Sequence, residues 1–224
     1  MTVFPVCQNW RKKECSLDRK QLKLYLVTDT HALRGRDFFD VVEAALMGGV
    51  TMVQLREKTL PTADFLKKAN ALRTMTERYG VPLIINDRLD IAFDSKACGL
   101  HVGQKDISAS DSRRILRKDT GKILGVTANT IAQAQAAEAA GADYIGAGAM
   151  FATQTKGDTT PLSKEALKAI VESISIPVVA IGGINAQNAK ELTGLGLAGL
   201  AISSGIMGAE NVYETAKALA ALKL

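Results

Sequence analysis

Residues 50–58 read V-T-M-V-Q-L-R-E-K, an apolar strand that ends in charge. Side chains alternate across a strand, so Gln54, Arg56 and Lys58 share one face and Val53, Leu55 and Glu57 the other. Buried cations need partners, and an anionic ligand at the strand's carboxyl end is the simplest one. A strand end that merely reaches water is the ordinary alternative. Asp87 and Asp106 also follow apolar runs. Two carboxylates beside Lys and Arg suit a Mg²⁺ ion that completes its shell with water and a substrate polyphosphate; helix capping by each Asp is the alternative. Gly182-Gly183 and Ser203-Ser204-Gly205 are small enough to bring backbone N–H groups against a phosphate, often at the start of a short extra helix. A glycine-requiring turn would look the same. The polar run 153–158, T-Q-T-K-G-D, suits either a lid that carries Lys156 to the phosphates or a plain surface loop. The chain has two histidines, His31 and His101. His101 reads as structural, and no Ser–His or Cys–His pairing is evident. A reaction that needs little general base fits these residues. Displacement of pyrophosphate qualifies, because a metal and cations can carry most of its catalysis.

The elements that must position these groups alternate regularly. Strand patterns fall at 24–28, 50–55, 83–85, 99–102, 123–126, 144–147, 178–181 and 200–203. Helical patterns lie between and after them, at 38–47, 63–79, 89–95, 110–117, 131–140, 164–173, 186–193 and 212–222. Turn residues such as Gly48-Gly49, Gly80, Gly141, Gly194 and Gly196 mark the joints. Eight such units predict an α/β protein, a single (β/α)8 TIM barrel whose active site lies at the carboxyl ends of the strands. A doubly wound open sheet is the runner-up, but its dinucleotide-binding Gly-x-Gly-x-x-Gly is absent after the first strand. In a barrel, Gln54, Arg56, Lys58, Asn86, Asp87, Asp106, Thr127, Thr153, Gly183, Ser203 and Ser204 all converge on one mouth.

Composition agrees. The 224 residues, 47% hydrophobic and 5% aromatic, suit one large aliphatic domain, which buries roughly 70–75% of its unfolded surface. We expect residues 1–22 to form a short N-terminal extension and residues 23–224 the catalytic barrel. The net charge of +5 fits anionic small molecules and argues only weakly for nucleic acid. No apolar run approaches a membrane span, and the start of the chain lacks the apolar core of a signal peptide. Cys7, Cys15 and Cys98 form no metal pattern; reduced thiols in a cytoplasmic protein are expected. Phosphorylated small molecules are the expected partners, with nucleic acid and membrane excluded and homo-oligomerisation left open.

From about residue 24 to 222 the chain resembles the thiamine-phosphate synthase (thiamine-phosphate pyrophosphorylase) family. The motifs are VQLREK at 53–58, INDR at 85–88, GLHVGQKD at 99–106, GVTANT at 125–130, DYIGAGAMFATQTK at 143–156 and VAIGGI at 179–184. The resemblance implies a barrel that joins hydroxymethylpyrimidine diphosphate to hydroxyethylthiazole phosphate, or its carboxylated form, giving thiamine phosphate and pyrophosphate. It implies that Gln54, Arg56, Lys58, Asn86 and Lys156 bind the pyrimidine diphosphate, with Arg56, Lys58 and Lys156 catalytic. Asp87 and Asp106 would hold Mg²⁺. Thr127, where the family usually has Ser, would touch the diphosphate. Thr153, Thr155, Gly183, Ser203 and Ser204 would hold the thiazole phosphate. The implied reaction is a dissociative substitution in which the thiazole nitrogen traps a pyrimidine cation. Ala152 stands where Pro is common, and residues 201–205, A-I-S-S-G, differ from the usual Val-Ser-Ala ending; both departures bear on the thiazole phosphate site. The rivals are a thiazole tautomerase, whose catalytic His would stand near the Thr127 position, and a non-catalytic binder of thiamine precursors.

Overall fold

The structure, a computed structural model, describes residues 16–116, 121–153 and 161–224. Its eight strands are β1 (Leu24–Val27), β2 (Met52–Leu55), β3 (Leu83–Asn86), β4 (Gly99–Val102), β5 (Ile123–Thr127), β6 (Tyr144–Ala147), β7 (Val178–Ile181) and β8 (Gly199–Ile202). They pair in chain order into a closed barrel. All pairings are parallel, and β8 returns to β1 with Leu24 beside Leu200 and Leu26 beside Ile202. The helices are α1 (Phe38–Met47), α2 (Thr62–Arg78), α3 (Leu89–Asp94), α4 (Ala109–Leu116), α5 (Ile131–Ala139), α6 (Lys164–Ser173), α7 (Ser204–Met207) and α8 (Val212–Ala220). This is the (β/α)8 barrel expected from the alternating pattern.

The strands are apolar on both faces because each face has its own core. Leu24, Leu26, Val53, Leu55, Leu83, Ile85, Leu124 and Val126 pack outwards against the helices. Their neighbours Tyr25, Val27, Met52, Ile84, Ile123, Tyr144 and Val179 fill the barrel. Leu22, in the 3₁₀ turn Arg19–Leu22 ahead of β1, packs into that inner cluster. Helix starts follow local hydrogen bonding. Asp37 caps α1 by accepting from the N–H groups of Phe39 and Asp40, while Thr130, Ser163 and Asn211 cap α5, α6 and α8. Each such cap satisfies amides that the helix itself leaves open.

One expected helix is mostly missing. Residues 186–193 hold only the 3₁₀ turn Ala189–Leu192. Asn185 Oδ1 accepts from the N–H groups of Gln187 and Asn188, and Asn188 Oδ1 accepts from that of Asn185. These side chain to backbone bonds offer the segment an alternative to helix. Conversely, the four-residue α7 stands directly after β8, as the small-residue run there suggested.

Gly125 shows how closely the interior is filled. A Cβ at this position would lie 2.1 Å from the Tyr144 ring and 2.5 Å from His101 Nδ1, so only glycine admits both rings. We expect Gly125→Ala to destabilise the barrel by about 1–3 kcal/mol, the usual range for overpacking. Urea unfolding measures this directly; an unchanged midpoint and slope would contradict the packing described.

Candidate active site

The mouth of the barrel gathers the strand ends around two connected spaces. An inner cavity of about 120 Å³ is lined by Gln54, Arg56, Asn86, Thr127, Thr153, Gly183, Ser203 and Ser204, among others. An outer one of about 700 Å³ shares Arg56, Thr153, Gly183 and Ser204 and adds Asp29 and Lys58. A larger trough, about 1160 Å³, lies outside the barrel by α1 and α8. Its Arg36 guanidinium is occupied structurally, donating to the carbonyls of Leu33 and Ala209 at 2.9 and 2.7 Å.

The β2 end alternates as expected. Gln54 is buried and donates from Nε2 to the Tyr25 hydroxyl at 2.7 Å. Arg56 faces both cavities, and its amide is held by Thr28 Oγ1 at 3.1 Å. Glu57 turns outwards to Lys68 at 2.5 Å. Lys58 bonds the Asp87 carboxylate. Asp87 does not cap α3: the residue at that cap is Arg88, and no side-chain cap bond is made. Instead Asp87 takes a left-handed backbone (φ 62°), and its amide donates to the His101 carbonyl at 2.9 Å. This tie from the β3 end to β4 leaves its carboxylate facing Lys58 and Asp106. Asp106 is held by the Gly103 amide at 2.8 Å.

The Asp87 carboxyl is pushed above its ordinary value, chiefly by burial. Lys58 opposes that shift, and the hydrogen bond and charge of Asp106 reinforce it. Two carboxyls in contact, one of them reluctant to ionise, form a cluster that a cation would relieve. Among the described residues no group of three or more His, Cys, Asp or Glu side chains could hold a metal. A fully protein-made cage is therefore absent there. Two carboxylates do fit a hard cation that takes its remaining ligands from water and phosphate.

The opposite rim suits an anion. Gly183 has φ 67°, and a Cβ there would lie 2.6 Å from the Ala152 carbonyl oxygen. Among the described residues Ser203 Oγ is buried without a hydrogen-bond partner, and it lines the inner cavity. An orphaned buried hydroxyl costs about 1–3 kcal/mol, which a bound acceptor would recover. Thr155 and Lys156, and most of the expected lid, lie outside the described residues.

Several groups escaped sequence reasoning. His101, expected to be structural, stands in the cavity wall: Nδ1 is 3.0 Å from the Tyr144 hydroxyl and Nε2 is 3.0 Å from Thr127 Oγ1. Burial pushes the hydroxyls of both Tyr25 and Tyr144 well above their ordinary range, so both stay protonated. Asn129 lines the inner cavity and accepts from the Gly148 amide at 3.0 Å. The GVTANT motif, which contains Asn129, was the signal that could have found it.

A closed parallel barrel with its polar side chains gathered at the carboxyl mouth defines a (β/α)8-barrel enzyme. The family model for thiamine monophosphate synthase matches residues 24–206, and the chain belongs to that family, as a transferase. It is 48% identical over 197 residues to the thiamine-phosphate synthase of Clostridium acetobutylicum, covering 88% of this chain and 92% of that one. It is also 48% identical over 195 residues to that of Methanobrevibacter smithii, covering 87% and 92%. Among solved structures, thiamine phosphate pyrophosphorylase from Pyrococcus furiosus superposes with a TM-score of 0.81 at 37% identity, covering 90% of this chain and 95% of that one. A 3-hexulose-6-phosphate synthase, 18% identical with a TM-score of 0.68, shares the fold alone.

The raised Asp87 pKa has a stability consequence. The folded state holds this proton to higher pH than the unfolded state does, so stability falls as pH rises through that window. Asp87→Asn removes the penalty. Without added metal or phosphate, its Tm should gain on the wild type as pH rises from the ordinary value of 3.8, then level off. Parallel melting curves check this; a Tm difference independent of pH would contradict it.

Proposed function

We propose that the chain transfers an aminopyrimidine methylene group from its diphosphate to the ring nitrogen of a thiazole phosphate, releasing thiamine phosphate and pyrophosphate. The observation that carries the reading is the Lys58–Asp87–Asp106 cluster opposite a rim with an orphaned serine hydroxyl. The inner cavity lies beside that rim. One side suits a diphosphate with its cation, the other a monophosphate.

In this reading Asp87 and Asp106 would hold Mg²⁺, with Lys58, Arg56 and Lys156 neutralising the diphosphate. When bound, Mg²⁺ supplies Lewis-acid stabilisation of charge on the leaving oxygens. Gln54 and Asn86 would orient the pyrimidine, and Thr127 would touch the diphosphate. Thr153, Thr155, Gly183, Ser203 and Ser204 would hold the thiazole phosphate. The bond between methylene carbon and diphosphate oxygen breaks first, and its electron pair leaves with pyrophosphate. The thiazole nitrogen then supplies the pair for the new carbon–nitrogen bond. No proton needs to move, which matches a site whose histidine has both ring nitrogens engaged in the wall. A tautomerase would instead need a positioned proton carrier.

Purified protein supplied with both substrates and Mg²⁺ should form thiamine phosphate and pyrophosphate in equal amounts, and EDTA should abolish the reaction. Isomerisation of the carboxylated thiazole without coupling would sink the reading. Lys58→Ala should lower kcat by about 10²–10³, the usual cost of removing one group aimed at developing charge. Its KM for the thiazole phosphate should barely change, and steady-state kinetics separate the two effects. A raised thiazole KM with normal kcat would place Lys58 elsewhere.

A further inference from the structure

Five side chains form one continuous hydrogen-bonded chain through the barrel. Gln54 Nε2 donates to the Tyr25 hydroxyl at 2.7 Å. That hydroxyl lies 2.8 Å from the Tyr144 hydroxyl, which lies 3.0 Å from His101 Nδ1. His101 Nε2 lies 3.0 Å from Thr127 Oγ1. The two ends, Gln54 and Thr127, line the same inner cavity.

Proton counting gives the chain a direction. A phenol carries one proton. The Tyr25 hydroxyl already accepts from Gln54, and among the described residues Tyr144 is its other polar partner, so the Tyr25 proton goes to Tyr144. The Tyr144 proton then goes to His101 Nδ1. A neutral imidazole that accepts at Nδ1 carries its proton at Nε2, which donates to Thr127 Oγ1. Thr127 accepts from the wall and keeps its own hydrogen for the cavity. Gln54, with Nε2 engaged by Tyr25, keeps Oε1 for the cavity. The opposite direction would turn the Gln54 amide over and leave Thr127 with lone pairs towards the cavity.

We propose that His101 is a positioning residue that sets this direction. Through Tyr144 and Tyr25 it fixes Gln54 as an acceptor, and through Nε2–H it fixes Thr127 as a donor. The inference rests on the substrate reading above. The amine of an aminopyrimidine needs an acceptor, and diphosphate oxygens need a donor. The chain offers one of each to the same cavity. It also selects substrates, since a pyrimidine with an oxo group in place of the amine would face Gln54 acceptor to acceptor. Tyr144→Phe cuts the chain at its centre. The Tyr25 proton is then free to turn to Gln54, the amide can turn over, and the oxo analogue is no longer opposed.

Two measurements test this. Nitrogen-15 NMR of the wild type, with the His101 signal assigned by its loss in His101→Gln, should show a neutral ring protonated at Nε2. The tautomer itself is read in the wild type, and the variant serves only to assign the signal. The preference in kcat/KM for the amino over the oxo pyrimidine diphosphate should fall at least about tenfold in Tyr144→Phe, the size of one good hydrogen bond. KM for the thiazole phosphate should stay within about twofold, because the lost hydroxyl bonds neither cavity rim. A ring protonated at Nδ1, or an unchanged amino-to-oxo ratio, overturns the proposal. If the wild type couples neither pyrimidine, the substrate reading fails instead, and the tautomer alone decides the direction of the chain.

Discussion

Closure of eight parallel strands is the constraint on which everything else here depends. With β8 paired to β1, no strand has a free edge and every carboxyl end opens at one mouth. Inward positions recur every second residue, so each strand contributes one or two side chains to a shared interior. The lower part of that interior is apolar, with Met52, Ile84, Ile123 and Val179. Gln54 and Thr127 lie further along the same strands, and Asn86 and His101 reach the cavity beside them. The site is therefore the top layer of the barrel's own core, and its side chains gain rigidity from the apolar groups below.

That origin explains the electrostatics. At the mouth, Asp87 is half withdrawn from water and set against Asp106, with Lys58 as its local counter-charge. The left-handed backbone at Asp87 and its amide bond to β4 turn the carboxylate away from helix capping and towards its neighbours. The cluster is thus incomplete in charge, whereas among the described residues the rim of Gly183 and Ser203 is incomplete in hydrogen bonding. In the proposed reading a cation with a diphosphate would satisfy the first deficit and a monophosphate the second.

Much of this was legible in the sequence because it is written locally. The eight apolar strand segments, the glycines at their joints and the polar residues just beyond them fix the barrel and its mouth. The V-Q-L-R-E-K alternation placed Gln54, Arg56 and Lys58 on one side and Glu57 on the other, and Glu57 does turn outwards to Lys68. The segment 186–193 misled, because its helical periodicity competes with Asn185 and Asn188 side chains that bond the backbone first. The place of His101 in the cavity wall was not legible for a different reason. Its partners come from β5 and β6, and Tyr144 in turn meets Tyr25 across the interior from β1. No spacing in the chain records such a contact. The nearest sequence signals are Gly125 and Gly146, which leave room for those rings.

The central claim is that the mouth takes up a divalent cation and a diphosphate as one unit, across Lys58, Asp87 and Asp106. Calorimetric titration of the protein with inorganic pyrophosphate, with and without Mg²⁺, tests it most directly. The account predicts one-to-one binding that is tight only when the cation is present. Pyrophosphate binding of equal strength in EDTA would contradict it.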